Sequence, residues 1–483
     1  MGVVALLVLL RHGPSRLPMS DSPKNLVSTA TASASIVSPL DERYASVMRP
    51  LAAHMSEYGL LKYRVAVEIE WLIFMAACDE ITHVPALTTE QVATLRGFVT
   101  NFDETESAKI KAHEVKIQHD VKAVEYYLRE KLNALALPQH AIQVHFCCTS
   151  EDINNLAYAL MLKSALAEAW LPAARTLVAE LTKLADSAKA VAILARTHGQ
   201  PASPTTLGKE LAVFVYRLNR QLSQIAGAEY LGKFSGAVGN FNAHVAAYPS
   251  LDWEKLSCEF VESLGLSWNP LTTQIESHDY LAEIFMALSR FSNILLSLDR
   301  DVWMYISFGY FKQAAVKGEV GSSTMPHKVN PINFENSEAN CGIAIALLQH
   351  LAEKLPVSRL QRDLSDSSAL RNIGVAVGHS LVAIEAARRG LGRLALDPAA
   401  AERDLAEVWE VLGEAVQVVM RKHGLPDAYE QLKDLTRGRP LSKEILHQFI
   451  GSLALPAEAR DYLLALTPHS YIGIAASTVR HIL

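Results

Sequence analysis

The chain has 483 residues, half of them hydrophobic, and a net charge of −6. That length buries a large core and accommodates two or three domains, and the mildly acidic balance argues against a nucleic-acid binder, which would carry a basic stripe. The five cysteines (Cys78, Cys147, Cys148, Cys258 and Cys341) show neither CxxC nor metal-cluster spacing and read as free thiols of a reducing, cytoplasmic setting.

In chain order, residues 1–36 read as a disordered or non-native extension. Val3 to Leu10 is apolar but too short to span a bilayer, lacks the preceding basic residue of a secretory signal, and follows a Met1-Gly2 without the hydroxyl residue of a myristoylation motif. Met19 opens a Ser/Thr/Ala-rich run to Ser38, a composition that cannot fill a core. A translated stretch ahead of a start at Met19 and a weak organellar targeting segment are the two readings; sparse arginine favours the first.

Helical periodicity begins near Pro39, and residues 55–78 predict one long helix behind the polar turn Asp41-Glu42-Arg43-Tyr44. His119 and Asp120 open another helix, with the acidic side chain complementing the macrodipole. Thr149-Ser150-Glu151-Asp152 reads as a capping box before a helix over 156–190 that has Pro172 at a kink or junction. Such a capped start leaves backbone N–H groups for an anion. In Arg196-Thr197-His198-Gly199-Gln200-Pro201, glycine and proline break the helix and expose His198 on a loop. A histidine there suits a general acid. Pro204 then starts a helix with the stripe Leu207, Leu211, Phe214, Val215, Leu218, Leu222 and Ile225.

The glycine-rich segment 232–249 contains no GxxxxGK[ST] phosphate loop. Thr272-Thr273-Gln274 precedes a helix with Leu281, Ile284, Phe285, Leu288, Phe291, Leu295 and Leu298 on one face. Between that helix and the next, over Phe334 to Leu351, lies Gly321-Ser322-Ser323-Thr324-Met325-Pro326-His327-Lys328-Val329-Asn330-Pro331. No bundle core needs this polar loop, whose hydroxyls, ammonium and amide suit a carboxylate. Arg362 to Arg371 then gathers two arginines and several serines, a set that matches phosphate geometry. From about Leu391 the helices shorten, broken at Pro398, Gly424-Leu425-Pro426, Gly438-Arg439-Pro440 and Pro456.

The 321–331 loop resembles the signature loop of the fumarase/aspartase superfamily, which eliminates fumarate from succinyl compounds. Continued through Asn333-Phe334-Glu335-Asn336, and paired with the His198 motif and the Arg362–Arg371 cluster, it resembles the bacterial-type adenylosuccinate lyase family from about Val37 to the C-terminus. The resemblance implies an all-α fold of three domains, here 37–139, 140–391 and 392–483. It also implies a homotetramer whose central helices form a twenty-helix core and whose sites are shared between subunits. Helix stripes on several faces, which one subunit cannot bury, independently point to oligomerisation.

The same resemblance implies that His198 is the general acid, Ser322 the base and Glu335 the partner that orients His198. Arg43 and Tyr44 would contact nucleotide, and Gln118 (where the family has Asn), His119 and Asp120 the substrate. Thr149 and Ser150 would hold a carboxylate, and Gln274 would reach the substrate too. Ser323, Lys328, Val329, Asn330 and Asn336 would complete the loop's contacts. Arg362, Ser367, Ser368, Ala369, Leu370 and Arg371 would take the AMP phosphate and nucleotide. No metal or organic cofactor, nucleic acid or membrane is called for. A sibling argininosuccinate lyase would lack the Arg362–Arg371 cluster, and a non-catalytic scaffold would have lost His198, Ser322 or Lys328.

Overall fold

The computed structural model describes residues 37–314, 325, 328–436 and 441–483, and these are predominantly helical. The N-terminal part comprises α1 (Ala45–Met55), α2 (Glu57–Ala77), α3 (Thr89–Thr100), α4 (Glu104–Ile117), α5 (Asp120–Ala134) and α6 (Pro138–Ala141). The helix expected over 55–78 is two. Ser56 is extended and its Oγ accepts from the Gly59 N–H at 3.1 Å, capping α2. The chain folds so tightly there that a Cβ on Gly59 would lie 2.2 Å from the His54 carbonyl oxygen. Glycine is what the corner requires.

Next come α7 (Ser150–Ala165) and α8 (Leu171–Ser187), joined through a π-helical turn at Leu166–Trp170. Pro172 stands in the first turn of α8, the junction its missing N–H implies. Trp170, fully buried, donates its Nε1–H to the Ser380 Oγ at 3.0 Å and pins the junction to the bundle. Four two-residue strands follow: β1 (Ala192–Ile193), β2 (Arg196–Thr197), β3 (Gln200–Pro201) and β4 (Thr205–Thr206). β1 pairs antiparallel with β4, and β2 with β3. Because Thr205 and Thr206 are engaged by β1, α9 (Leu207–Ala226) starts after them rather than at Pro204, capped by the Thr206 Oγ1.

Two short helices, α10 (Asn242–Ala247) and α11 (Trp253–Ser263), lead to α12 (Asp279–Ser307), α13 (Ile332–Lys354), α14 (Ser365–Leu370) and α15 (Ile373–Leu391). The bundle is built by α12 on α13, α13 on α15, α8 on α9, α9 on α12 and α8 on α15. Every residue of the stripes expected on α9 and α12 is buried within this one chain, because the neighbouring helices cover them. These stripes therefore do not by themselves call for a second subunit, contrary to the expectation from sequence. Among the described residues α12 is the one helix long and apolar enough to cross a membrane; its apolar face is covered by its bundle neighbours. The bundle still leaves Val213 and Tyr216 of α9, Trp303 and Met304 of α12, and Ile343 of α13 exposed.

Apolar residues gather in two cores. The large one runs from Leu40 to Leu391 and adds Ala401 and Val479 from the C-terminal part. The small one takes Leu405 to Leu463 from the C-terminal helices. β1 joins them: Ile193 is buried in the large core, while Ala192 and the adjacent Leu194 are buried in the small one.

Candidate active site

The N-terminus of α7 is held by charges that no solvent reaches. Asp152 and Lys233 are both fully buried, Oδ1 to Nζ 2.6 Å apart. Asp152 Oδ1 also accepts from the Ser235 and Gly236 N–H groups, at 2.9 and 3.2 Å, and Oδ2 accepts from the Thr149 N–H at 2.8 Å. Asn155 brackets Lys233 from the other side, accepting its N–H and donating to its carbonyl, both at 2.8 Å. The glycine-rich stretch after Gly232 is therefore a clamp on the head of α7, and it fixes Thr149 and Ser150.

Beside that head is a cavity of 390 Å³. Of the expected residues it gathers Gln118, His119, Asp120, Ser150, Arg362, Ser367, Ser368, Leu370 and Arg371, drawn from three distant stretches of chain. Gln118 ends α4 in the left-handed region, φ +55°, a conformation that suits asparagine better. His119 caps α5, its Nδ1 accepting from the Lys122 N–H at 3.2 Å, so a neutral ring carries its proton on Nε2. Arg362 Nη2 lies 2.8 Å from the Ser367 Oγ and 2.9 Å from Glu151 Oε1; its Nη1 lies 3.4 Å from Gln274 Oε1, which brings Gln274 to the rim. Arg371 spans from Glu57 (2.6 Å) to Asp120 (3.0 Å). Burial alone would push Asp120 up, but Arg64 and Arg371 overrule it and hold the carboxyl below its ordinary value. Burial does push the Glu151 carboxyl up, against the pull of Arg362.

Sequence reasoning missed Arg64, Glu114, Glu151, Asn154 and Tyr158, which also line the cavity. Arg64 had a signal: it shares one helical stripe with Leu60 and Leu72, where a charge is out of place. Glu151 and Asn154 were absorbed into the capping motif and the apolar run of α7.

The other expected residues lie elsewhere on this chain. Thr149 stands just outside the cavity wall, and Ala369 sits on α14 between two lining residues. His198 is at the tip of the β2–β3 hairpin, where His198 (φ +53°) and Gly199 (φ +76°) form the two-residue turn. The base of this hairpin is fixed by Arg196, whose guanidinium stacks on the Phe308 ring at 4.3 Å and meets Tyr310 and Asp404. Glu335 is exposed and accepts from Trp303 Nε1 at 3.2 Å. Asn336 accepts from the Tyr44 hydroxyl at 2.9 Å, with Arg43 exposed beside it. Lys328 and Val329 are exposed, and the Val329 carbonyl accepts from Gln313; Asn330 is half-buried. Ser322 and Ser323 lie outside the described residues.

The length of α12 sets the distance between these groups. Its head adjoins the cavity, because His278 is 3.9 Å from Asp366, which Arg362 approaches at 3.6 Å. Its tail, about 43 Å away for 29 helical residues, adjoins the Arg196 anchor and Glu335. His198 is two residues from Arg196, so it stays on the order of 35 Å from the same chain's cavity.

A family profile described as "Lyase" matches residues 42–345, and one described as "Adenylosuccinate lyase C-terminal" matches 358–472. The chain is 52% identical to the adenylosuccinate lyase of Haemophilus influenzae over 454 residues, covering 94% of this chain and 99% of that one. It is 53% identical to that of Vibrio cholerae (91% and 97% covered) and 51% identical to that of Escherichia coli (93% and 98%). Among solved structures, the 3-carboxy-cis,cis-muconate lactonizing enzyme of Pseudomonas putida has the same fold, with a TM-score of 0.69 at 23% identity over 89% of this chain and 95% of that one. With both profiles and full-length relatives in agreement, the chain belongs to the adenylosuccinate lyase family of the fumarase/aspartase superfamily.

Proposed function

We propose that the protein eliminates fumarate from adenylosuccinate to give AMP, and from the succinyl-aminoimidazole carboxamide ribotide to give its carboxamide. The observation that carries this reading is the cavity at the head of α7. There Arg362, Ser367, Ser368 and Arg371, a set fit for a phosphate, meet the substrate-directed segments 118–120 and Ser150.

The reaction removes a proton from the carbon beside a carboxylate, breaks the C–N bond and leaves fumarate, while the departing nitrogen takes up a proton. Charge builds on the carboxylate as the proton leaves, so preorganised donors lower the barrier. Lys328, Asn330, Thr149 and Ser150 are the donors assigned to it. Ser322 takes the proton and His198 supplies the other, with Glu335 fixing the imidazole tautomer. Within one chain His198 and Glu335 are both far from the cavity lined by His119, Arg362 and Arg371, which supports a homotetramer with sites shared between subunits. The exposed apolar residues of α9, α12 and α13 supply faces for it. A cytoplasmic location and the division at 139/140 and 391/392 belong to the same reading.

The test is the absorbance change when purified protein meets adenylosuccinate. Conversion to AMP and fumarate is expected. Turnover of argininosuccinate with none of adenylosuccinate would overturn the proposal.

A further inference from the structure

Arg64 is 1% exposed, in the middle of α2. Its Nε donates to Asn154 Oδ1 and its Nη2 to Asp120 Oδ2, both at 2.8 Å. These two bonds, to α7 and α5, fix the plane of the guanidinium. The third nitrogen, Nη1, is buried and has no hydrogen-bond partner among the described residues. Asp120 already shares Oδ2 between Arg64 and Arg371, and its Oδ1 takes the Val121 N–H. Native interiors keep few such unmade donors, because each is destabilising. This one belongs to a residue that lines the 390 Å³ cavity.

We propose that Arg64 is an anion-binding residue of this site: Nη1 donates to an oxyanion of the bound substrate, a phosphate oxygen or a carboxylate oxygen. Asp120 and Asn154 are its holders. A fork with two prongs committed to protein and one to ligand is rigid before the ligand arrives, so little rotamer freedom remains to be lost on binding. A lysine could not do this, since its single ammonium cannot keep both holders and still present a fixed donor. The inference rests on the function proposed above and adds a residue to it.

Three probes separate the sources of the anion. Adenosine carries neither group, AMP carries the phosphate, and succinate carries the carboxylates. Dissociation constants are measured by equilibrium titration for the unmodified protein, Arg64→Met, Arg64→Lys and Asn154→Ala. If the oxyanion is the phosphate, Arg64→Met weakens AMP about tenfold or more and leaves adenosine within about twofold. If it is a carboxylate, succinate weakens by that factor and the AMP-to-adenosine preference is kept. Arg64→Lys keeps charge in the fold and shows the same selective loss, in smaller measure. Asn154→Ala, which removes a holder and loosens the fork while leaving Nη1, shows the same selective loss in smaller measure than Arg64→Met.

A uniform weakening of all three probes by Arg64→Met and Arg64→Lys, or no change in any, would show Arg64 to be a tie between helices and overturn the inference alone. An unmodified protein that binds neither AMP nor succinate and does not cleave adenylosuccinate would overturn the proposed function, and the inference with it.

Discussion

The separation along α12 makes a quantitative prediction about how sites are assembled. His119 lines the cavity at one end of the bundle, and His198 rides the hairpin anchored at the other, on the order of 35 Å away in one chain. A proton transfer needs heavy atoms within about 3 Å. The two histidines can serve one reaction only if they come from different subunits. Asparagine is the substitution to use at both. At residue 198 it tolerates the positive φ, and at residue 119 it is a good helix cap. His198→Asn, which removes the general acid, and His119→Asn, which removes a substrate contact, should each lose about a hundredfold or more in kcat/KM. When the two are mixed in equal amounts and allowed to exchange, each site draws its two histidines independently. About a quarter of the sites in a closed symmetric oligomer then carry neither lesion. Activity should rise from near zero to about a quarter of the unmodified rate, a gain of about twenty-five-fold or more over either parent. The assay is adenylosuccinate turnover before and after exchange, with hybrid composition read by native mass measurement. Hybrids present in statistical proportion, with activity still at the level of the parents, would refute the reasoning.

The clamp on α7 predicts strong coupling. Lys233→Met strands a buried carboxylate and should cost about 3–5 kcal/mol, and Asp152→Ala should cost more because three backbone N–H groups lose their acceptor as well. In the Asp152→Ala background Lys233→Met should cost almost nothing, so simple additivity in denaturant melts would remove the pair from the account. A second prediction concerns pH. Burial alone would depress His145, but the buried Glu68 carboxylate 2.6 Å away wins and holds its pKa above the ordinary value of 6.5. The sign follows: this stabilisation is complete below the unfolded pKa and is lost as pH rises through the raised folded one. The gap in denaturation midpoint between the unmodified protein and Glu68→Gln should shrink as pH is raised from below the ordinary value of 6.5 into the alkaline range. A gap that stays constant over that range would sink the assignment.

What the sequence made legible follows from what each feature requires. The stripes of α9 and α12 were readable because a buried helix face must repeat every 3.6 residues. The segment 362–371 was readable because its arginines and serines announce an anion, whereas 118–120 read on its own only as a helix start and took its substrate role from the family resemblance. The corner at Ser56 was not, since it depends on Gly59 meeting the His54 carbonyl rather than on any local breaker. The hairpin under His198 carried a faint signal, a residue-glycine pair between short extended segments, and the helix-breaking reading of Gly199 and Pro201 masked it. Lys233 was invisible as a structural residue because lysine is seldom buried and its partner lies 81 positions earlier in the chain. Nor does any local pattern report that His198 and the cavity stand at opposite ends of one helix.

β1 has a bearing on how the protein fails. Its two faces are sunk in different cores, Ile193 in the large one, Ala192 and the following Leu194 in the small one. Arg196, at the root of the hairpin, is tied to Asp404 on the C-terminal side as well. The hairpin is thus tied to both units, so its position depends on the smaller one as well as on the tail of α12. Mild denaturant that opens only the C-terminal helices would withdraw His198 from whichever site it serves, while the long bundle keeps its helical signal. Inactivation should therefore run ahead of the loss of far-ultraviolet ellipticity. Superimposable curves would mean that the bundle alone holds the hairpin in place.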